Sequence, residues 1–167
     1  MEERDVVDRI IGQWNTERPD VDASPLEVIG RLSRLSRLVD RVLAENFAKY
    51  DIEAWMFDVM ATLRRSGEPF ELAAGQLVRQ TMVTTGAMTN RIDRMEQRGL
   101  VERIAAEDRR KVIVRLTPKG LALVDEVIAT HMETEQQILA GLTGSQRSQL
   151  AGNLKKMLLH LGDAATV

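Results

Sequence analysis

The sequence of 167 residues contains no cysteine, few aromatic residues (4%) and no long apolar run. Without cysteine there can be no disulfide, thiolate metal site, cysteine nucleophile or thiol redox switch. The longest apolar runs are far short of the roughly 20 residues that a membrane helix needs. The charged residues 1–5 are not followed by the apolar region of a signal peptide. We therefore expect a soluble, cytoplasmic protein.

The apolar fraction of 44% is enough for a sizeable core, and the length fits one domain spanning residues 1–167. The apolar residues are mainly Leu, Val, Ile, Met and Ala, a mixture that favours helices over a β-sandwich rich in aromatics. We therefore predict a mainly α-helical protein.

Positive charge is concentrated in one part of the chain, although 23 Lys and Arg nearly balance 25 Asp and Glu overall. Residues 79–120 hold ten Lys or Arg and five Asp or Glu, a local charge of +5, and the remainder carries −7. A local field steers DNA more than the total charge does. The near-zero sum therefore conceals a basic segment on an acidic scaffold.

Local signals divide the chain into helices and one hairpin. Ser24-Pro25 and Thr117-Pro118 each resemble an N-cap followed by proline at the first helical position, Thr143 with Gln146 resembles a capping box, and Gly99 resembles a C-terminal cap. Apolar periodicity predicts helices over 6–14, 25–50, 53–65, 71–79, 84–98, 118–140 and 144–161, and β-prone runs over 100–104 and 112–116.

The order of these elements predicts a winged helix-turn-helix. Two neighbouring helices followed by a charged two-stranded hairpin are typical of this motif, which we place at about 53–117. The long helices at about 1–50 and 118–167 exceed what one domain needs for its own core. Their apolar stripes predict a two-fold homodimer interface.

The helix over 84–98 has the pattern of a recognition helix. Met88, Ile92 and Met95 recur on one face, and short polar side chains lie away from it. Such side chains suit base edges and phosphates, although an ordinary solvated face has the same pattern. The polar residues are Thr89, Asn90, Asp93 and Gln97.

The hairpin tip carries three adjacent cations in the segment Asp108-Arg109-Arg110-Lys111. A β-tip can reach a minor groove, where arginine is the usual cation. A solubilising turn has the same composition. The position directly after a candidate recognition helix favours DNA binding for Arg110 and Lys111.

The tip also begins a longer motif. From Asp108 to Gly120 the chain reads D-R-R-K-V-I-V-R-L-T-P-K-G, which resembles the wing signature of the MarR (multiple antibiotic resistance regulator) family, D-x-R-x-x-x-V-x-L-T-x-x-G. The segment from Gly86 to Arg103 resembles the same family's recognition helix and following strand. The resemblance implies a homodimer that binds a pseudo-palindromic operator, with recognition helices in major grooves and wings in minor grooves.

The resemblance also assigns roles to individual residues. Arg110 would be the minor-groove residue, and Asp108 its structural anchor, paired with an arginine such as Arg94. Thr89 and Asn90 would face base edges. Thr85, near the helix start, would donate to a phosphate.

Arg91 departs from the pattern, since many members of the family carry an apolar residue at this position. It flanks the apolar face, so we expect it to have an anionic partner: a protein carboxylate, a phosphate or a bound ligand. The departure resembles the urate-responsive MarR regulators, which have an extra N-terminal helix. The residues that match their ligand pattern are Trp14, Asp58, Arg91 and Arg103.

These four residues suit a planar anionic heterocycle such as urate. Arginines would pair with its negative edge, Asp58 would accept ring N–H groups, and Trp14 would stack on it or donate its indole N–H. Each residue also has a purely structural interpretation: Trp14 as a core residue, Asp58 as an ion-pair partner of Arg91, and Arg103 as a phosphate contact.

We therefore predict a repressor that a ligand releases from its operator, with no cofactor. The alternatives are a MarR-type regulator that senses another aromatic acid, or a helical adaptor that binds proteins and not DNA. We see no nucleophile–base pair or phosphate loop, so we expect no enzyme. His131 and His160 stand alone, so we expect no metal site.

Overall fold

The computed structural model describes residues 4–81, 84–105 and 112–164 of a mainly helical chain. The chain divides into two compact units, Met1–Ala54 and Trp55–Val167. No helix in the described ranges is long and apolar enough to cross a membrane. The elements are α1 (Val6–Glu17), α2 (Leu26–Ala48), α3 (Ala54–Arg65), β1 (Glu71–Ala73), α4 (Ala74–Thr81), α5 (Thr85–Gln97), β2 (Val101–Ala105), β3 (Val112–Leu116), α6 (Pro118–Ile138) and α7 (Gly144–His160).

The N-terminal unit packs α1 against α2. Asp5 caps α1 and forms a capping box with Asp8, which satisfies the first backbone N–H groups of the helix. Val7 is buried and faces Gly30 of α2, where a Cβ would lie only 3.2 Å from a Val7 methyl group. The absence of a side chain at Gly30 therefore allows the two helices to approach closely.

The predicted cap of α2 is wrong. Pro25 precedes the helix without a side-chain cap, and α2 begins at Leu26. The Ser24 hydroxyl donates instead to the Asp22 carboxylate at 3.0 Å, and the same carboxylate accepts the Ser24 backbone N–H at 2.9 Å. An Asp22-centred turn thus takes the hydroxyl that was expected to cap the helix.

Helix α2 carries an exposed apolar surface. In a single chain its large apolar side chains would remain in water, at a cost that a partner surface would remove. These side chains are Val28, Ile29, Leu32, Leu35, Leu38 and Val42.

The second unit has a core built by α3 together with α4, α5 and the sheet. Val59, Met60 and Leu63 of α3 and Leu77 of α4 are fully buried. Because the buried residues of α3 recur at three- and four-residue spacing, this helix presents one continuous apolar face to the unit.

The wing hairpin belongs to a three-stranded antiparallel sheet of order β1-β3-β2. We predicted a helix over 71–79, but residues 71–73 form β1, and the helix begins at Ala74. Leu72 pairs with Val114 of β3, about forty residues later. A three-residue strand has too little alternation to be recognised locally, and its partner lies far along the chain.

Helix α6 begins as predicted. Thr117 caps it by accepting the Gly120 N–H, and Pro118 is the first helical residue. The Thr117 hydroxyl also donates to the Gly99 carbonyl at 2.7 Å, and Gly99 has the positive φ (+67°) of a helix C-cap. The end of α5 and the start of α6 are therefore bonded to each other. The Thr143–Gln146 capping box of α7 is also present.

Candidate nucleic-acid interface

Helix α5 presents one apolar and one polar face. Thr84 caps its N-terminus by accepting the Ala87 N–H at 3.3 Å. The residues Met88, Ile92 and Met95 are buried in the core, as predicted. This burial fixes the rotation of the helix about its axis and leaves the opposite side in solvent.

The three short polar residues predicted to contact DNA lie on the exposed side of α5. Thr85, Thr89 and Asn90 are all exposed. The Thr89 hydroxyl donates to the Thr85 carbonyl at 3.1 Å, so its oxygen still has acceptor capacity. The Asn90 amide can both donate and accept, as recognition of an adenine edge requires.

Arg91 and Arg94 stack on the same aromatic ring. Their guanidinium carbons lie 5.5 Å and 4.8 Å from the centroid of the Trp55 ring. We expected an anionic partner for Arg91, but its partner within the described ranges is this ring. A weakly hydrated guanidinium over an indole gains a cation–π interaction, which explains why a half-buried Arg91 is tolerated.

Asp58 lies on the same helix as Trp55, three residues further on, and its side chain is exposed. Within the described ranges it forms no ion pair with Arg91, so the structural alternative of an Asp58–Arg91 pair is not observed. Residues three apart on a helix are neighbours. The stacking of Arg91 on Trp55 therefore brings this arginine to the part of α3 that carries Asp58.

Arg103 of β2 is held by two carboxylates of α5. Its guanidinium pairs with Asp93 and Glu96, and its backbone N–H donates to Glu96 at 3.1 Å. Burial opposes the charged form of Arg103, but the hydrogen bonds to Asp93 and Glu96 outweigh it and raise the pKa of the guanidinium. We call this arrangement the Arg103 clamp, because it ties the first wing strand to α5.

The remaining predicted residues lie elsewhere. Trp14 is on α1 in the N-terminal unit, with 49% of its surface exposed. The predicted wing residues Asp108, Arg110 and Lys111 lie outside the described residues, as does the pairing of Asp108 with Arg94. In the described ranges, no group of three or more His, Asp or Glu is arranged to hold a metal ion.

Two residues that matter here were not predicted from the sequence. Trp55 supports both arginines of α5, and Glu96 completes the Arg103 clamp. Glu96 could have been found, because it lies one turn after Asp93 and shares its face of the helix. Trp55 gave no local signal, because its partners are more than thirty residues away.

The clamp predicts a specific effect on DNA binding. Replacing Arg103 with Ala leaves two carboxylates of α5 without their counter-charge, and if α5 is the helix that enters DNA, we expect operator affinity to fall about tenfold. Adding Asp93→Asn and Glu96→Gln to Arg103→Ala should restore most of the lost operator affinity, because the two uncompensated charges are removed. Band-shift assays at fixed salt measure both changes.

A matched control is Arg115→Ala, which removes a sheet arginine that pairs with Glu71 of β1 and not with α5. This variant also removes one positive charge from the basic segment, so its loss of affinity measures the effect of charge alone, and we expect that loss to be smaller than the loss in Arg103→Ala. If Arg103→Ala bound operator normally, or if the two neutralising changes restored nothing, the clamp would have no role in DNA binding.

The geometry defines a class of protein. A short helix α4 leads into α5, which exposes polar side chains, and an antiparallel hairpin follows. This succession, with the hairpin joined to a small sheet, is a winged helix-turn-helix.

Comparisons with known proteins agree. A model described as the MarR family matches residues 50–111. The HTH-type transcriptional regulator PecS of Dickeya dadantii is 42% identical over 93% of this chain and 94% of its own. Mutant Escherichia coli MarR complexed with operator DNA is 28% identical over 83% of this chain and 99% of its own, with a TM-score of 0.72.

A further solved structure is BpsR of Bordetella bronchiseptica, whose DNA binding is regulated by 6-hydroxynicotinic acid. It is 28% identical over 79% of this chain and 94% of its own, with a TM-score of 0.69. The chain belongs to the MarR family of winged-helix transcriptional regulators. The predicted family, fold and regulatory role are thereby confirmed, and so is the prediction that the protein is not an enzyme.

Proposed function

We propose that this protein is a homodimeric repressor that binds a palindromic operator and is released from it by urate or a similar planar anion. The observation that carries the DNA-binding part is the geometry of α5. Its buried face, Met88, Ile92 and Met95, fixes the helix, and the exposed Thr89 and Asn90 then face outward. These side chains would read base edges in a major groove.

Phosphate contacts would complete the interface. Thr85 lies at the start of α5, where backbone N–H groups and the helix dipole favour a phosphate. Arg94, stacked on Trp55, adds a positive charge on the same helix. The cationic wing residues Arg110 and Lys111 would reach the adjacent minor groove, as the family resemblance implies.

The homodimer is supported by the exposed apolar surface of α2 and by exposed leucines near the C-terminus. Leu158, Leu159 and Leu161 are at least half exposed in the single chain. A second copy of the chain would bury these side chains. A two-fold dimer would present two recognition helices about one DNA turn, roughly 34–36 Å, apart.

The effector site would consist of Trp14, Asp58, Arg91 and Arg103. Arg91 belongs to the helix that reads DNA, so an anion that binds it would also act on that helix. If the ligand-bound orientation spoils the spacing of the two recognition helices, ligand and operator exclude each other. The stacking of Arg91 on Trp55, three residues before Asp58 on α3, supports this assignment, and Arg103 would have to exchange Asp93 and Glu96 for the ligand.

The test begins with selection of bound DNA from a random pool, which supplies the operator and tests its palindromy. Urate is then titrated into the protein–operator complex at fixed salt. We expect urate to dissociate the complex, and Arg91→Ala to bind operator but respond much less. The control Arg37→Ala changes an exposed arginine of α2 and should respond normally.

Two outcomes would contradict separate parts of the proposal. Undiminished operator binding at millimolar urate would reject urate as effector but leave DNA binding intact. A normal urate response in Arg91→Ala would reject the site assignment.

Another aromatic acid is the second candidate effector, and BpsR supports it because its regulator is 6-hydroxynicotinic acid. Such an acid would use the same arginines and would not need the purine-specific N–H donors that Asp58 would accept from urate. A thermal-shift panel of aromatic acids at one concentration distinguishes the two, since the ligand with the higher affinity raises the melting temperature more.

A further inference from the structure

Helix α1, which carries Trp14, makes its most buried contact with α2 in its first turn, and its other end continues into the connection to α2. Its first turn holds Asp5, Val7 and Asp8, and Val7 is 3% exposed against α2. Its second half, from Gly12 to Glu17, is exposed throughout. The direction in which Trp14 points therefore depends on how the first turn is held.

In addition to the packing of Val7, one arginine of α2 bonds both carboxylates of that turn. Arg31 of α2 donates from Nε to the Asp5 carboxylate at 2.7 Å and from Nη2 to the Asp8 carboxylate at 2.5 Å. Its third nitrogen, Nη1, donates to the Glu27 carbonyl at 3.0 Å. Because all three nitrogens are engaged, the guanidinium is fixed on α2 and the two carboxylates are fixed to it.

The two carboxylates are also part of the helix cap. Asp5 accepts the N–H groups of Val7 and Asp8, and Asp8 accepts the N–H of Asp5. The Asp8 N–H and then Arg31 hold the pKa of Asp5 below its ordinary value, and Asp5 and then Asp8 raise the pKa of Arg31. The Asp5–Arg31 contact is therefore charged on both sides at neutral pH. Because Asp5 is the N-cap, this contact fixes the end of α1 itself.

We propose that Arg31 is a positioning residue for the effector response: it orients α1 so that Trp14 is ready to contact the ligand. This inference rests on the proposed function, because Trp14 is one of the four residues assigned to the effector site. Arg31 belongs to α2 and not to the recognition helix, and it is not among the four residues assigned to the ligand. Its loss should weaken the effector response and leave DNA reading unchanged.

The first measurement follows Trp14 directly, without any ligand. In a Trp55→Phe background, Trp14 is the sole tryptophan. With this background, we expect Arg31→Met to increase the quenching of Trp14 by acrylamide, because α1 is no longer held at its first turn. Quenching in Arg31→Lys should lie between that of the Arg31 protein and that of Arg31→Met, since an ammonium cannot reproduce the forked contact of the guanidinium. Arg37→Met is the control, an exposed arginine on the same helix.

The second measurement uses urate with the full-length protein and otherwise native sequence. We expect Arg31→Met to lower urate affinity about tenfold, the loss that follows when a preorganised contact must be ordered on binding. Operator affinity without urate should stay within about twofold of the wild type, because the DNA-reading helix is untouched. Arg37→Met should match the wild type in both assays.

The outcomes separate this inference from the proposal it rests on. If the wild type ignores urate but Arg31→Met loosens Trp14, the effector assignment fails and the orienting role of Arg31 stands. If the wild type responds and Arg31→Met responds equally with unchanged quenching of Trp14, the positioning role is wrong. An equal loss of operator binding and urate binding in Arg31→Met would indicate general unfolding and would also overturn it.

Discussion

Replacing Gly120 with Ala is expected to lower the free energy of unfolding by about 3 kcal/mol or more, or to prevent folding. A Cβ at this position would lie 2.0 Å from the Leu100 carbonyl oxygen, a backbone atom. That loop cannot move away easily, because Thr117 donates from its backbone to Leu100 and from its hydroxyl to Gly99. Relief of the clash would break both bonds.

Gly152→Ala is the matched control. Gly152 lies inside helix α7 of the same unit, and a Cβ there meets nothing within 4 Å. Alanine should therefore stabilise the protein by up to about 1 kcal/mol through helix propensity. Urea unfolding followed by circular dichroism, at one protein concentration, measures both variants. Similar midpoints for the two would show that the contact at Leu100 relaxes without cost.

Replacing Asn90 with Ala is expected to weaken operator binding by about 1–3 kcal/mol, the usual range for a lost bidentate base contact. Asn90 is exposed on α5, so its removal should not affect folding. Binding to unrelated DNA should change little, since phosphate contacts supply non-specific affinity. Competition band-shift assays with operator and random duplexes measure the ratio of specific to non-specific affinity.

The control for this variant is Asn15→Ala, an exposed asparagine on α1, which should bind operator as the wild type does. Thr85→Ala provides a contrast, because loss of a phosphate contact weakens all sequences alike. If Asn90→Ala weakened operator and random DNA equally, Asn90 would contact the backbone and would not read a base.

Features specified by neighbouring residues were predictable from the sequence. The Thr117 cap, the Thr143–Gln146 capping box and the buried face of α5 each depend on residues within one or two helical turns. The contacts that decide these features are therefore between residues close in sequence, and distant parts of the fold do not change them. The cap at Ser24 was wrong because Asp22, two residues away, competes for the same hydroxyl.

Features that depend on distant partners were not predictable. Strand β1 exists because β3 pairs with it, and three residues carry no periodicity of their own. The sequence also could not decide which residue each arginine would pair with. Arg103 could have paired with any of several acids, and the fold brings it to Asp93 and Glu96. Arg91 has an aromatic partner, Trp55, where charge alone suggested an anion.

The strand order β1-β3-β2 makes the three strands unequal in how many partners each one holds. Because β3 lies between two partners, the base of the wing is anchored on both edges. A change in β3 therefore disturbs two strand pairings at once, whereas a change in β1 or β2 disturbs one.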